Sequence, residues 1–156
     1  MPTTLAKCLY EDRISQLPLA ELYSVEPSAS VQQVIEGMGQ RRSGCALVVH
    51  DGKAVGIFTE RDFLCRVLAK YGDVGQPVEA VMTPSPTTIT PADTVATAVE
   101  RLQTGGYRHL PVVSPEGVPI SVLSIKDVVH YLVEYFPANV YNLPPKPGVV
   151  HPREGA

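Results

Sequence analysis

The stretch VEPSASVQQVIEGM, Val25 to Met38, is written again with changes as ITPADTVATAVERL, Ile89 to Leu102. In both, apolar residues recur at helical spacing: Val31, Val34, Ile35 and Met38 first, then Val95, Ala98, Val99 and Leu102. That spacing places them on one face of a helix. Working outward, each helix is followed by an apolar run, Ala46 to Val49 and Leu110 to Val113. A second run comes after it, Val55 to Phe58 and Ile120 to Leu123. Each copy then places a hydroxyl residue three positions before an aspartate, Thr59 with Asp62 and Ser124 with Asp127, and runs into another helical pattern. One extra residue between Ser114 and Gly117 makes the second copy slightly longer. Duplication on this scale predicts two similar subdomains packed on each other, with sites related by approximate two-fold symmetry at their junction.

Each unit reads short strand, helix, strand, strand, helix, an α+β pattern. For the second-copy helix, Thr90 is the expected N-cap, with Pro91 at the first helical position and Asp93 closing a T-x-x-D box. Gly105 and Gly106 stop it. Gly37 and Gly39 weaken the equivalent helix of the first copy. Asp51-Gly52 between two apolar runs is a hairpin signal. Tyr71 to Pro77 reads as a linker, and Met82 to Pro86 as a second, stiffer connector. The division expected is 14–72 and 78–136 for the two copies, 1–13 as an N-terminal segment and 137–156 as a Pro-rich tail.

The chain of 156 residues is 44% hydrophobic, enough for a full core. A net charge of −3 gives no support for a nucleic-acid track, which needs a basic stripe. No apolar run approaches the roughly 20 residues of a membrane span. Met1 to Lys7 lacks the apolar segment of a signal peptide, so the expected location is the cytoplasm. Cys8, Cys45 and Cys65 form no CxxC pair, and Cys45 reads as a small buried hydrophobe.

The order of elements, with GIFTERD (Gly56 to Asp62) closing the first copy, resembles the cystathionine β-synthase (CBS) domain. Met82-Thr83-Pro84, TITPADTV (Thr88 to Val95) and GYRHLPVV (Gly106 to Val113) add to the resemblance, which spans Leu17 to Phe136. Two such domains in tandem form a Bateman module. The resemblance implies a βαββα fold per copy, sheets packed side by side, two clefts that commonly hold adenosine-containing ligands, and pairing of modules into disc-like dimers.

On local sequence alone, Thr59-x-x-Asp62 is a capping box, needing no ligand. The same geometry suits a nucleotide: a hydroxyl at a helix start donates to phosphate, and a carboxylate accepts from both hydroxyls of a ribose. The resemblance implies those contacts for Thr59 and Asp62, and by repetition for Ser124 and Asp127. Ser121 stands where the family usually has glycine and where the first copy has Gly56, a side chain that would crowd the approach of the backbone to a base in the second site. Phosphate needs cations. Arg108 and His109 are candidates, standing where family members often reach phosphate across the cleft. Arg41, Arg42, Arg61 and Lys126 read as solvated charges. By family position Val25, Ala46 and Phe58 line one purine slot and Ile89, Leu110 and Leu123 the other; the competing reading makes them core. The four histidines show no metal spacing, and no nucleophile, metalloprotease or phosphate-loop motif appears, so no catalysis is expected.

The function expected is a sensor that binds AMP, ADP or ATP between the copies and signals, as a homodimer, to a protein effector. Alternatives are a structural dimerisation module with capped helices and no ligand, or a binder of S-adenosylmethionine, whose sulfonium would depend on Asp62 or Asp127 but little on Arg108.

Overall fold

A computed structural model of the chain describes residues 4–136. The expected Pro-rich tail and the apolar anchors Val140, Tyr141 and Leu143 lie outside the described residues. The first copy runs β1 (Ser24–Val25), α2 (Val31–Arg41), β2 (Cys45–His50) and β3 (Lys53–Thr59), followed by a helical segment, residues 60–70, called α3. Before it stands α1 (Leu5–Glu11). After it come β4 (Thr83–Pro84), α4 (Val95–Gly105), β5 (His109–Val113), β6 (Pro119–Ser124) and α5 (Ile125–Tyr135).

In the first copy β1 pairs parallel with β2, β2 antiparallel with β3, and β3 antiparallel with β4. In the second, Ile89 bridges parallel to Val112 and β5 pairs antiparallel with β6. The β2–β3 register slips between Val48 and Val49, and the β5–β6 register between Val112 and Val113, the same place in both copies. Asp51 and Gly52 both take positive φ, 50° and 74°, the pair of values a two-residue hairpin turn requires. The molecule is thus two βαββα units in an α+β arrangement.

Three apolar clusters hold it together. One joins Val34, Met38, Val48 and Phe58 inside the first copy, and another joins Ile89, Ala98, Leu110 and Leu123 inside the second. The third lies between the sheets, where Leu47 and Ile57 of the first copy pack with Val122 of the second. Cys45 is buried there as expected, and burial pushes its thiol up to about 11, leaving it unreactive at neutral pH.

Two expectations need correction. Thr90 does not cap α4; Thr94 does, its hydroxyl accepting from Thr97 N, while Asp93 Oδ2 accepts from Thr90 N within a preceding turn. The reason is tertiary. Ile14 N donates to Asp93 O, Ser15 N to Pro91 O, and Val95 N to Asp12 O, so the N-terminal segment uses the backbone groups that an earlier helix start would need. Nor is Tyr71 to Pro77 a free linker: Gln76 O and Val74 O accept from Val31 N and Gln32 N at the start of α2. Each copy's central helix is therefore capped by the segment that precedes the other copy. The core contents match, with Ile14 and Leu17 in the second-copy cluster and Val78 and Val81 in the first.

Candidate functional site

The start of α3 is built as a reciprocal cap. Thr59 N donates to Asp62 Oδ2 at 2.9 Å, Thr59 Oγ1 donates to the same oxygen at 3.0 Å, and Asp62 N donates to Thr59 Oγ1 at 3.2 Å. The N–H of Glu60 is taken by Gly44 O at 3.1 Å. The capping reading of this motif is therefore correct for the local structure. It leaves Asp62 Oδ1 outside the cap, met among the described residues by Thr83 Oγ1 at 3.4 Å and Arg66 Nε at 3.5 Å. Both are long contacts, so this oxygen can accept a better donor.

Asp62 lies in the wall of a cavity of about 710 Å³, within the roughly 300–1,000 Å³ of small-molecule sites. Thr59, Glu60, Arg61, Leu64 and Arg66 form one side of it, residues 83–87 the next, and Tyr107, Arg108 and His109 of the second copy the far side. Three arginines and a histidine thus line it together with two carboxylates. Ile57, Pro84, Pro86 and Tyr107 supply apolar surface. Thr87 Oγ1 bonds Tyr107 OH at 3.3 Å, joining the connector to the second-copy wall.

His109 is partly buried. Desolvation lowers its pKa below 6.5; the carboxylates of Glu60 and Asp127 oppose that shift, while Lys126 and Arg108 reinforce it. An added methyl at Gly44 would meet His109 Nε2 at 3.6 Å, so the first copy's backbone runs close against the ring.

The repeat in the second copy keeps the cap and loses the surroundings. Ser124 N and Oγ donate to Asp127 Oδ2 at 2.7 and 3.0 Å, and Ile125 N donates to Arg108 O. Where the first copy has Arg66 four residues after its aspartate, the second has Tyr131, and Tyr131 OH donates to Asp12. Burial and then Asp12 push that phenol's pKa up, keeping the proton in place. Asp127 lines a smaller pocket of about 220 Å³ with Asp12, His130, Tyr131, Glu134 and Tyr135, and no arginine or lysine among the described residues lines it. Ser121, in place of Gly56, donates to Ala20 O at 2.7 Å and ties the preceding segment to β6.

The expected purine-lining residues are core. Ala46, Phe58, Ile89, Leu110 and Leu123 are fully buried, and Val25 packs against the first-copy cluster. Side chains alternate along a strand, and the one turned to the cleft is Ile57, next to Phe58. Sequence reasoning also passed over Arg66, Thr83 and Tyr107. Arg66 stands four residues after Asp62, a spacing that brings helical side chains together; Thr83 and Tyr107 lie inside stretches that carried the family resemblance. Arg41 does not reach the cleft: its guanidinium lies 4.2 Å from the centre of the Tyr23 ring. Among the described residues no group of three or more His, Cys, Asp or Glu is placed to hold a metal ion, and no helix is long and apolar enough to cross a membrane.

The CBS-domain sequence profile matches twice, over residues 12–69 and 78–134. An uncharacterised 17.7 kDa protein of Acidianus ambivalens is 28% identical over 123 residues, which cover 78% of this chain and 74% of that one. Among solved structures, a CBS domain protein of Pyrobaculum aerophilum complexed with AMP superposes with a TM-score of 0.70 at 27% identity, covering 78% of this chain and 98% of that one. CBSX2 of Arabidopsis thaliana in complex with AMP gives 0.68 at 25% identity, covering 79% and 97%. With two profile matches on two βαββα units packed through their sheets, the chain belongs to the CBS-domain family, as a tandem pair.

Proposed function

We propose that the protein is a regulatory module that binds an adenosine nucleotide in the cleft between its copies, at Thr59 and Asp62. The observation that carries this reading is a single cavity with Asp62 on one side and Arg108 and His109 on the other. Asp62 Oδ1 accepts from the ribose hydroxyls. Arg108, with His109 when protonated, meets the phosphate. Ile57, Pro84, Pro86 and Tyr107 supply the apolar surface for the base. The AMP complexes of the two related proteins support the same ligand class. Binding is one-sided, because the pocket at Asp127 is smaller and, among the described residues, is lined by three carboxylates with His130 but no arginine or lysine to balance a phosphate.

The same reading includes a homodimer. Leu64 on α3 and Val129 on α5 stand at matching positions of the two copies and are both half exposed, at 57% and 48%. Leu68 and Ile125 add to this surface, and a second copy covers it. The nucleotide bridges both copies, so it favours one packing of them over another and passes that preference through the dimer to a protein effector.

The test is a thermal-shift titration with AMP, ADP, ATP and S-adenosylmethionine, beside Asp62→Ala and Arg108→Ala. Ligand at a hundred times its Kd adds about 2.7 kcal/mol, a shift of several degrees. The expected outcome is a shift with a phosphate-bearing nucleotide that both variants reduce. A shift confined to S-adenosylmethionine and indifferent to Arg108→Ala selects the sulfonium ligand instead. No shift with any of them selects the structural module.

A further inference from the structure

Arg66 stands in the cleft wall but is not free to follow a phosphate. Its Nη1 donates to Met82 O at 2.7 Å and lies 3.4 Å from Val81 O. Its Nε faces Asp62 Oδ1 at 3.5 Å. Thr83, next in the chain after Met82, sends its hydroxyl to that same Oδ1 at 3.4 Å. One guanidinium therefore fastens together the helix that carries Asp62 and the connector that leads into the second copy. The connector continues as β4, pairs with β3 through Gly56 and Ile57, and forms the next wall of the cleft.

We propose that Arg66 is a positioning residue: it fixes the free oxygen of Asp62 and the Val81–Thr83 connector for the ribose, and it takes no part in holding the phosphate. This rests on the nucleotide reading of the cleft. Asp62 Oδ2 is consumed by the cap, so a ribose hydroxyl has only Oδ1 to approach, and the groups around Oδ1 are those Arg66 secures. Two backbone carbonyls hold the guanidinium by its Nη1, the nearer in a short bond, and this ties it to the connector. A rigid, forked donor suits that task better than the point charge of a lysine. The second copy provides an internal contrast. Tyr131 occupies the matching position and is spent on Asp12, leaving Asp127 without this arrangement.

The experiment compares calorimetric titrations of adenosine and of AMP into wild type, Arg66→Met, Arg66→Lys and Arg108→Ala, each checked for a native circular dichroism spectrum. Met keeps the aliphatic stem over the helix and removes the donors. The prediction is that Arg66→Met weakens adenosine and AMP by the same factor, roughly three- to tenfold. Arg66→Lys falls between Met and wild type. Arg108→Ala weakens AMP and leaves adenosine unchanged. Arg66→Met or Arg66→Lys losing AMP while keeping adenosine would make Arg66 a phosphate ligand and overturn the proposal. Unchanged affinity for both ligands, with only a lowered Tm, would reduce Arg66 to a structural tie and overturn it equally. Should Arg66→Met fail to fold, Arg66→Lys alone decides by the same comparison. Wild type binding neither ligand is the distinct result that removes the nucleotide reading itself, and the proposal with it.

Discussion

Asp62 serves two partners with two oxygens. Oδ2 closes the cap on α3 and Oδ1 faces Thr83 and Arg66 beside the cleft. Asp62→Ala therefore acts twice: it removes the carboxylate half of the capping box while the bond from residue 62 N to Thr59 Oγ1 remains, costing about 1 kcal/mol of stability, and it removes the proposed ribose acceptor. Thermal melts with and without nucleotide separate the two, the first lowering Tm without ligand and the second abolishing the ligand-dependent rise. His109 gives a pH signature. Its pKa is lowered in the folded protein, chiefly by desolvation, so between that lowered value and about 6.5 the unfolded chain binds more protons than the folded one. The histidine thus costs no stability above about 6.5, and its cost grows as the pH falls from there through the folded value. Tm measured from pH 7.5 down to 5 is expected to fall less steeply in His109→Gln than in wild type; parallel curves would remove His109 as the cause. The sequence named four polar residues that line the cleft and passed over others, Arg66 and Thr83 among them. Thr59 and Asp62 stand at a recognisable spacing, and Arg108 and His109 in a recognisable motif. It did not disclose the apolar half, because strand parity decides whether Ile57 or Phe58 faces the cleft, and a run of consecutive apolar residues such as Val55 to Phe58 does not reveal its parity.

Helix α2 carries two glycines that sequence reasoning treats alike and the fold does not. A Cβ at Gly37 would lie 1.9 Å from Tyr23 Oη and 2.5 Å from its Cζ. A Cβ at Gly39 meets nothing within 4 Å. In an open helical site, glycine to alanine gains about 0.5–1 kcal/mol. At Gly37 that gain is set against moving a ring on which Arg41 is stacked, an overpacking cost of about 1–3 kcal/mol. Gly39→Ala is expected to raise Tm and Gly37→Ala to lower it, as denaturation of the two variants would show. A rise in both would mean that Tyr23 moves without cost, and a fall in Gly39→Ala would contradict the open helical site there. Elements themselves were readable wherever the pattern is local: the helical spacing of α2 and α4, the Asp51-Gly52 hairpin, the Gly106 stop with its positive φ of 64°. The start of α4 was not readable, because the backbone groups near Thr90 are claimed by Asp12, Ile14 and Ser15, far away in the chain. Helix α3 departs from a regular helix for a similar reason of context. It begins with one α-turn, widens into a π-helical stretch at Phe63–Val67 and tightens at Leu68–Lys70, a sequence of geometries that apolar spacing alone does not encode.

Across the whole molecule, duplication made the architecture legible, since two copies of one pattern constrain each other's reading. What duplication concealed was difference. The copies share their cap, their sheet slip and their topology, yet one aspartate stands among arginines and the other lines a small pocket with Asp12 and Glu134. That asymmetry, with Arg66 replaced by Tyr131 and Gly56 by Ser121, is the ground for proposing one-sided binding. The proposed dimer belongs to the whole molecule as well. Leu64→Asp combined with Val129→Asp is expected to convert a dimer to a monomer in light scattering, while a mass unchanged from wild type would place the interface elsewhere. The proposed function comes down to one nucleotide held between the copies at Asp62, and a calorimetric titration of AMP into wild type, Asp62→Ala and Asp127→Ala decides it. One AMP per chain, lost with Asp62→Ala and retained with Asp127→Ala, is the result predicted. Binding that survives Asp62→Ala and disappears with Asp127→Ala, or no binding to the wild-type protein, would contradict it.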